Sequence, residues 1–332
     1  AVQQRLILGY EYFYELTRND VFRRSFTGAA ALNLNAPTFD LGDPGTYAPS
    51  DLRRTWAEQS AYSANTLFSL FGGRMMALGG VRYSTTDEER KNLRSPGGVR
   101  VQKRLNVAVP NYGVSFKLRR GVALFASYSE SYLPPSLQGA LTDAAGNPFP
   151  ESTGDGTDLG LKFDLFGGRL TGNISAFEIN RENTLIPDPI NPGFSLAEGN
   201  TTVRGVDTGF TLRPIDAWQI VAGYSYTDGR LVNGTDPNGR IGNVPMHKAS
   251  LWNKYKFAAG ALKGFGAGLG VIFVDERRGN SALRDLPALS SPGYTVCHAN
   301  LSYERRIAQR PWACPLQGNN LGNKDYFASS AG

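Results

Sequence analysis

Residues 124–135 read LFASYSESYLPP, and residues 150–170 read PESTGDGTDLGLKFDLFGGRL. Apolar and small polar side chains alternate in both stretches, and a period of two predicts β-strands. The second stretch contains a predicted strand from Thr157 to Leu165, and a turn of about four residues, Phe166 to Arg169, leads into the next strand. A long loop, a strand, a tight turn and another strand in succession are typical of an all-β, transmembrane antiparallel β-barrel.

The same succession of long loop, strand, tight turn and strand continues on both sides of these stretches. On the first predicted strand, Leu6, Leu8 and Tyr10 share one face, which predicts an apolar side turned toward lipid. Loops of unusual length are predicted over residues 17–51 and 86–106. About thirteen strands are predicted, over residues 2–14, 56–69, 75–85, 107–118, 122–132, 157–165, 170–184, 202–213, 218–228, 247–257, 265–276, 294–304 and 312–320.

The composition favours membrane strands over membrane helices. No run of about 18 apolar residues occurs, which excludes helical spans. Aromatic residues make up 11% of the chain, as expected if two aromatic girdles flank an apolar band. The net charge is +6, but Lys and Arg are spread along the chain, so no nucleic-acid partner is predicted. A cationic lumen would favour anionic cargo.

The sequence lacks the residue patterns that catalysis and metal binding need. No HExxH, GxSxG or paired CxxC motif occurs, so the chain is not predicted to be an enzyme or to hold a metal. The two histidines, His247 and His298, are predicted to lie on the barrel wall. The glycines of residues 264–270 repeat with a period of two, which indicates small lumen-facing strand positions rather than a phosphate loop.

The two cysteines, Cys297 and Cys314, are too few for a disulfide framework. They lie on the last two predicted strands, whose hairpin centre is placed near Ala308. That centre puts the two residues several positions out of register, so a disulfide is not expected. Pro315 removes one donor from the last predicted strand.

Several segments, in order, resemble the TonB-dependent siderophore receptors of the Gram-negative outer membrane. They are the two stretches quoted above, FEINRENT (177–184), VRGVDTGFTLRP (203–214), WQIVAGYSYTDGR (218–230), NVPMHKASLWNKY (243–255) and GNNLGNKDYFAS (318–329). The resemblance covers most of the chain from about Met75 onward. Asp158 and Asp207 stand where the family commonly has Glu, and His298 stands where an Asp is common.

This resemblance implies a barrel of about 22 strands with a plugged lumen. Residues 1–332 would form a single partial barrel domain, and the plug, about eight strands, the TonB box, the signal peptide and the last strand are expected outside this sequence. The implied partners are the TonB–ExbB–ExbD complex, outer-membrane lipid and lipopolysaccharide, and the implied state is a monomer. No cofactor is expected, since a ferric siderophore would be cargo.

A receptor would hold a bulky ferric chelate with aromatic and basic groups on the outer loops and in the upper lumen, through stacking and charge. For each aromatic candidate, a girdle or loop-packing role is the competing interpretation. The candidate ligand-binding residues are Tyr47, Arg53, Arg54, Trp56, Tyr132, Phe149, Phe194 and Arg277.

Other functions stay open at this stage. A TonB-dependent receptor for cobalamin, haem or glycan would carry the same barrel motifs. A passive porin would share the strand rhythm but would not need the energising partners. A barrel lipase or protease would need a Ser/His constellation, and the sequence offers no recognisable one.

Overall fold

In the computed structural model, the described residues are 2–23, 48–93, 99–135, 142–188, 190–191, 194–233, 239–279, 290–307 and 310–329. They form β-strands joined by turns and loops, with one short 3-10 turn at Phe71–Gly73. The described residues contain no helix that is both long and apolar enough to cross a membrane.

The described residues contain fifteen strands. They are β1 (Gln3–Arg23), β2 (Ala48–Leu70), β3 (Met75–Asn92), β4 (Val99–Arg119), β5 (Val122–Leu133), β6 (Ser152–Leu165), β7 (Leu170–Pro187), β8 (Ser195–Ile215), β9 (Trp218–Leu231), β10 (His247–Lys256), β11 (Phe265–Val274), β12 (Arg277–Arg278), β13 (Ser290–Ser291), β14 (Tyr294–Ile307) and β15 (Arg310–Gly318).

Thirteen of these strands form one antiparallel sheet in which the strands follow chain order, except that β11 pairs with β14. This confirms the predicted all-β antiparallel architecture and its strand number. The sequence did not reveal β12 and β13, which form a separate two-stranded sheet in the connection between β11 and β14. Short turns join the strands at one end of the sheet and long connections join them at the other, as in outer-membrane barrels.

Two of the short turns share the sequence FGGR and the same backbone. Phe71, Gly72 and Gly73 have φ of 52°, 67° and 81°, and Phe166, Gly167 and Gly168 have 55°, 67° and 85°. Left-handed φ at consecutive positions is costly for most residues but not for glycine, so the two glycines in each turn permit the reversal.

The predicted loops at 17–51 and 86–106 are wrong in part, because the strands extend well into them. β1 continues to Arg23 and β3 continues to Asn92, each with unbroken pairing to β2 through the charged region apart from one bulge after Val21. In this region, cross-strand ion pairs support the strand pairing where the apolar face is missing. Arg54 Nη1 lies 2.6 Å from Asp20 Oδ1, and Arg100 contacts Glu89.

These four strands are 18 to 23 residues long, although about 9–11 residues suffice to cross a bilayer. Their charged ends point to the side of the long connections. Because charge facing lipid is destabilising, these ends extend beyond the apolar part of the membrane.

The outward face of the sheet is defined here as the side that carries Leu6, Leu8 and Tyr10, which are 58%, 71% and 58% exposed. Cross-strand partners share a face, so the register assigns every strand position to one side. An aromatic band on the outward face lies toward the long connections. It contains Tyr10 and Tyr62, Tyr112 and Tyr128, and Tyr224, Tyr226 and His247.

A second outward aromatic cluster lies near the short turns. The rings of Phe265 and Tyr303 are 4.6 Å apart, and Trp312 is 61% exposed nearby on β15. Two aromatic bands at the two ends of an apolar surface are the arrangement expected at the two membrane interfaces.

The inward face is defined as the opposite side of the sheet. The register confirms that Gly266, Gly268 and Gly270 of β11 lie on it. Gly270 pairs with Trp252 of β10, and a methyl group added at Gly270 would lie 2.0 Å from Trp252 Cε3. The indole ring therefore lies over the backbone of the neighbouring strand because glycine leaves it room.

The last two strands of the large sheet confirm the predicted hairpin centre. Ile307 pairs with Arg310, and Cys314 pairs with Tyr303, six positions from Cys297. Both cysteines are free and exposed on the outward face. Pro315 lies in β15 opposite Ser302 of β14, and as a proline it has no N–H to donate to the ladder.

Candidate functional site

The inward face bears a cavity of about 540 Å³ where β2, β3, β4 and the end of β5 meet. Its volume lies within the range of small-molecule sites, which is about 300–1,000 Å³. A second cavity of about 420 Å³ adjoins it between β5, β6 and β7. Ser129, Ser131, Tyr132 and Leu133 line both. We call the first the β2–β5 cavity.

Tyr132 separates the two cavities, and its position follows from the end of the β4–β5 pairing. β4 and β5 pair only up to Ser129, whereas β5 stays paired with β6 as far as Leu133, so the end of the β5–β6 pair is separated from β4 and can turn inward. The Tyr132 hydroxyl then accepts a hydrogen bond from Gln59 Nε2 at 2.5 Å and lies 3.3 Å from Thr86 Oγ1. The Tyr132 side chain thus links β5 with β2 and β3.

The connection from β5 to β6 folds onto the inward face above the cavity. Phe149 is 4% exposed, and its carbonyl oxygen accepts a hydrogen bond from Lys103 Nζ of β4. The same ammonium group lies 3.7 Å from Glu151 Oε2. This contact fixes the loop against the barrel wall, where Thr86 and Leu105 are also buried.

The tip of that connection is held by Asp143. Its carboxylate accepts hydrogen bonds from Asn147 Nδ2 at 2.9 Å, from the Asn147 backbone at 2.8 Å and from the Ala145 backbone at 2.9 Å. These donors, the Asn147 side chain first, lower the pKa of Asp143 below its ordinary value. Hydrogen bonds within the loop, together with the Lys103 contact, therefore fix its conformation.

The wall of the β2–β5 cavity is rich in uncharged hydrogen-bonding groups. Asn65, Gly80 and Asn111 form a row across β2, β3 and β4. A methyl group on Gly80 would lie 2.1 Å from Asn65 Oδ1 and 2.2 Å from Asn111 Oδ1. Both amide side chains can therefore occupy the space above residue 80 only because it is glycine. Arg82, two residues further along β3, lies 2.9 Å from Glu11 Oε2 and donates to Ser84 Oγ at 3.2 Å.

Of the candidate residues at the start of the chain, the three that the structure describes lie outside this cavity. Tyr47 lies outside the described residues. Arg53 is on the inward face of β2 opposite Asn19, toward the long connections. Arg54 is on the outward face, where Asp20 engages it. Trp56 is also on the outward face, with its ring 6.3 Å from that of Tyr14.

The other candidates occupy three separate places. Tyr132 lines the cavity, and Phe149 is buried in the loop above it. Phe194 is 48% exposed between β7 and β8, where its carbonyl accepts from the backbone of Asp188 at 3.0 Å. Arg277 lies beyond β11, six strands from β5 in the sheet order.

Arg277 is only 4% exposed and is held by the C-terminal segment. Its two terminal nitrogens donate to the carbonyl oxygens of Phe327 and Ala328. Its guanidinium carbon lies 5.7 Å from the Tyr294 ring centre, and Tyr294 in turn stacks on Tyr326 at 4.2 Å. These contacts fix the segment after β15 against the β11–β14 connection.

Sequence reasoning missed most of the residues that form the cavity wall. Glu11, Gln59, Asn65, Arg82 and Asn111 were not among the candidates, although all lie at lumen-facing positions. The alternation that identifies the lipid face also identifies this opposite polar face. Which of its many polar residues converge depends on pairing between strands that are distant in sequence. Within the described residues, no group of three or more His, Cys, Asp or Glu side chains could hold a metal ion.

Comparison with known proteins extends the fold assignment. The family model described as TonB dependent receptor-like, beta-barrel, matches residues 3–321. The crystal structure of the ferric-catecholate import receptor Fiu from Escherichia coli K12, in its closed form, superimposes with a TM-score of 0.80 at 20% identity. That match covers 99% of this chain and 49% of the Fiu chain.

Two curated relatives are similar over most of the chain. The metal-pseudopaline receptor CntO of Pseudomonas aeruginosa is 28% identical over 97% of this chain and 48% of its own length. The ferrichrome outer membrane transporter/phage receptor of Escherichia coli is 27% identical over 90% of this chain and 39% of its own length. The chain thus spans about half the length of CntO and less than half the length of the ferrichrome transporter.

Proposed function

Because this chain belongs to the TonB-dependent receptor family of the Gram-negative outer membrane, we propose that it is the wall of an importer for a ferric siderophore. The family match over residues 3–321 is the observation that carries this proposal. Members of this family are receptors and transporters rather than enzymes. Relatives that import or bind metal chelates, such as the ferrichrome transporter and the ferrioxamine B receptor, support the cargo class.

Under this proposal, the β2–β5 cavity and the loop above it would lie along the route of the cargo. The β2–β5 cavity faces the lumen just below a loop that Lys103 and Asp143 hold in place. A chelate captured at the long connections would meet Tyr132 first and the row of Asn65 and Asn111 next. The polar inward face would let the chelate pass without entering lipid, because the outward face alone is apolar.

We also propose the partners of this importer. The importer would take its energy from TonB, ExbB and ExbD, and would stand as a monomer in contact with outer-membrane lipid and lipopolysaccharide. The charged outward ends of β1–β4 lie at the height of the lipopolysaccharide headgroups under this proposal. Cobalamin, haem or glycan as cargo, and passive diffusion, are the competing outcomes of the test below.

The experiment uses the complete gene product that carries this chain. A strain lacking the gene is supplied with single radio-iron chelates during iron starvation, with and without a protonophore. Chelate uptake that depends on the gene and stops when the proton-motive force is dissipated is the expected result. Uptake that persists after dissipation would indicate a porin. Uptake of cobalamin, haem or glycan, but of no ferric chelate, would indicate another receptor class.

A further inference from the structure

The short turns carry an excess of positive charge as large as the net charge of +6 of the whole chain. Five of these turns, with their adjoining strand ends, contain seven Lys or Arg residues and one acidic residue, Asp216. They cover residues 71–74, 117–121, 166–169, 213–217 and 257–264. None of the seven cations forms an ion pair with a described residue. We call these five segments the basic rim.

The outward cations at the opposite end of the sheet, near the long connections, are paired with carboxylates. Arg54 Nη1 lies 2.6 Å from Asp20 Oδ1, and Arg204 Nε lies 2.8 Å from Glu178 Oε2. A paired cation has part of its charge cancelled by its neighbour. An anion at the membrane surface is therefore attracted more strongly to the basic rim than to the paired cations at the other end.

Two arginines of the basic rim lie on the outward face where the β3–β4 pair ends. The guanidinium carbon of Arg74 lies 5.3 Å from the ring centre of Phe116, which is an outward residue of β4. Arg119 pairs with the outward Val122 after a bulge that follows Lys117. Cross-strand partners share a face, so the bulge brings Arg119 to the outward side. The Lys117 N–H donates to the Arg74 carbonyl at 2.8 Å, which places the two arginines on neighbouring strand ends.

Exposed apolar side chains accompany these arginines. Phe71 and Leu118 are both exposed at the same two turns, and Asp164 at the end of β6 lies on the inward face, away from them. The combination recurs on the last two strands of the sheet, where Arg305 and Trp312 are cross-strand partners on the outward face. Cations among apolar and aromatic side chains at the end of membrane strands match the boundary between lipid headgroups and acyl chains.

We propose that Arg74 and Arg119 bind the phosphate group of an anionic phospholipid, of the phosphatidylglycerol class, in the periplasmic leaflet. Short turns face the periplasm in outer-membrane barrels. Each guanidinium group can donate two hydrogen bonds to a phosphate, and Phe71 and Leu118 contact the acyl region below it. An ethanolamine headgroup would add its own ammonium to a rim that already has excess positive charge, so the anionic lipid is preferred. The inference rests on the lipid contact proposed above and adds the leaflet, the lipid class and the residues.

The test measures which phospholipid stays bound to the purified complete gene product. The protein in detergent is mixed with phosphatidylglycerol and phosphatidylethanolamine that have the same acyl chains, and the bound lipid is identified by native mass spectrometry. The native protein is expected to prefer phosphatidylglycerol. One Lys or Arg near an anionic lipid surface changes the affinity about fivefold, so Arg74→Gln and Arg119→Gln should each lower the preference about fivefold.

Lys117→Gln is the matched control. It removes the same charge from the same strand end, but Lys117 pairs with Ala123 on the inward face. This control is expected to leave the lipid preference unchanged. Arg119→Lys keeps the charge and is expected to keep most of the preference, which separates the effect of charge from the effect of packing. Heat-modifiable gel mobility checks that every variant is folded.

The outcomes separate this inference from the proposed import function. Equal retention of the two lipids by the native protein, or equal losses in Arg119→Gln and Lys117→Gln, would overturn the lipid inference. Binding of an acidic soluble protein through the same arginines, without a lipid preference, would assign the surface to that partner and would also overturn it. Each of these results leaves import standing, because chelate uptake is measured separately in cells. Absence of gene-dependent chelate uptake, with the lipid preference intact, would overturn import alone.

Discussion

The contact between Trp252 and Gly270 provides a direct test of the inward wall. Gly270→Ala would place a methyl carbon 2.0 Å from Trp252 Cε3 and 2.3 Å from Cζ3, whereas carbon atoms normally pack about 3.5–4.0 Å apart. The strand backbone cannot recede because β14 pairs with Gly270 through His298. The indole ring must therefore rise off the sheet by about 1.5 Å or change rotamer.

The cost of this movement can be estimated from the packing lost. If the displaced ring exposes about 100 Å² of apolar surface, the free energy of unfolding falls by about 2.5 kcal/mol. Overpacked sites in other proteins lose about 1–3 kcal/mol, so the estimate lies within the observed range. We expect Gly270→Ala to be destabilised by about 2 kcal/mol.

The assay is urea unfolding of the complete gene product in lipid, followed by heat-modifiable gel mobility so that the readout does not depend on tryptophan. Gly79→Ala is the control, since a methyl group at that strand position meets nothing within 4 Å. It is expected to be neutral or more stable by about 0.5 kcal/mol. In a Trp252→Ala background the Gly270→Ala cost should vanish, which gives a coupling energy of about 2 kcal/mol. Equal stability of the two glycine variants, or a cost that persists without the indole, would refute the reasoning.

Three further predictions follow from the loops and the outward face. Lys103→Met should release the loop at Phe149 and raise its rate of proteolytic cleavage by about tenfold, without changing the gel mobility of the barrel. Because the pKa of Asp143 is lowered in the fold, its support of the loop is present above the ordinary Asp value of about 3.9 and is lost as the pH falls through the lowered value; the protection factors of the loop amides, relative to their intrinsic exchange rates at each pH, should fall only there. Cys297 and Cys314 should both react with a membrane-permeant maleimide without prior reduction, and an oxidised pair that resists labelling would contradict the register.

The sequence predicted what local alternation determines. Strand number, antiparallel order, the outward position of Leu6 and Leu8 and the hairpin near Ala308 all follow from a period of two and from turn residues. The prediction failed where the apolar face stops. Above the aromatic band, Asp20 and Arg54 give no hydrophobic alternation, yet ion pairs across the strands continue the ladder.

The candidate site was harder to predict because its residues converge through register. Alternation separates the two faces of β2 but does not say which face is outward. The pairing of β1 with β2 places Arg54 and Trp56 on the face of Leu16 and Tyr14, away from the lumen. Tyr132 shares the parity of the outward Tyr128 but turns inward because β4 and β5 part after Ser129. No periodicity records where two strands separate.

Glycines on the inward wall make room for side chains of the adjacent strands. Each side chain of a strand adds bulk either to the lipid side or to the lumen side of the sheet, and inward side chains on adjacent strands compete for the same space. Gly80 and Gly270 leave room for the side chains of neighbouring strands, which then lean along the wall rather than across the lumen. The sequence signal is a glycine directly opposite a large or polar residue, and it can be recognised only after the register is known. The positions of the Asn65 and Asn111 amides therefore depend on a residue with no side chain of its own.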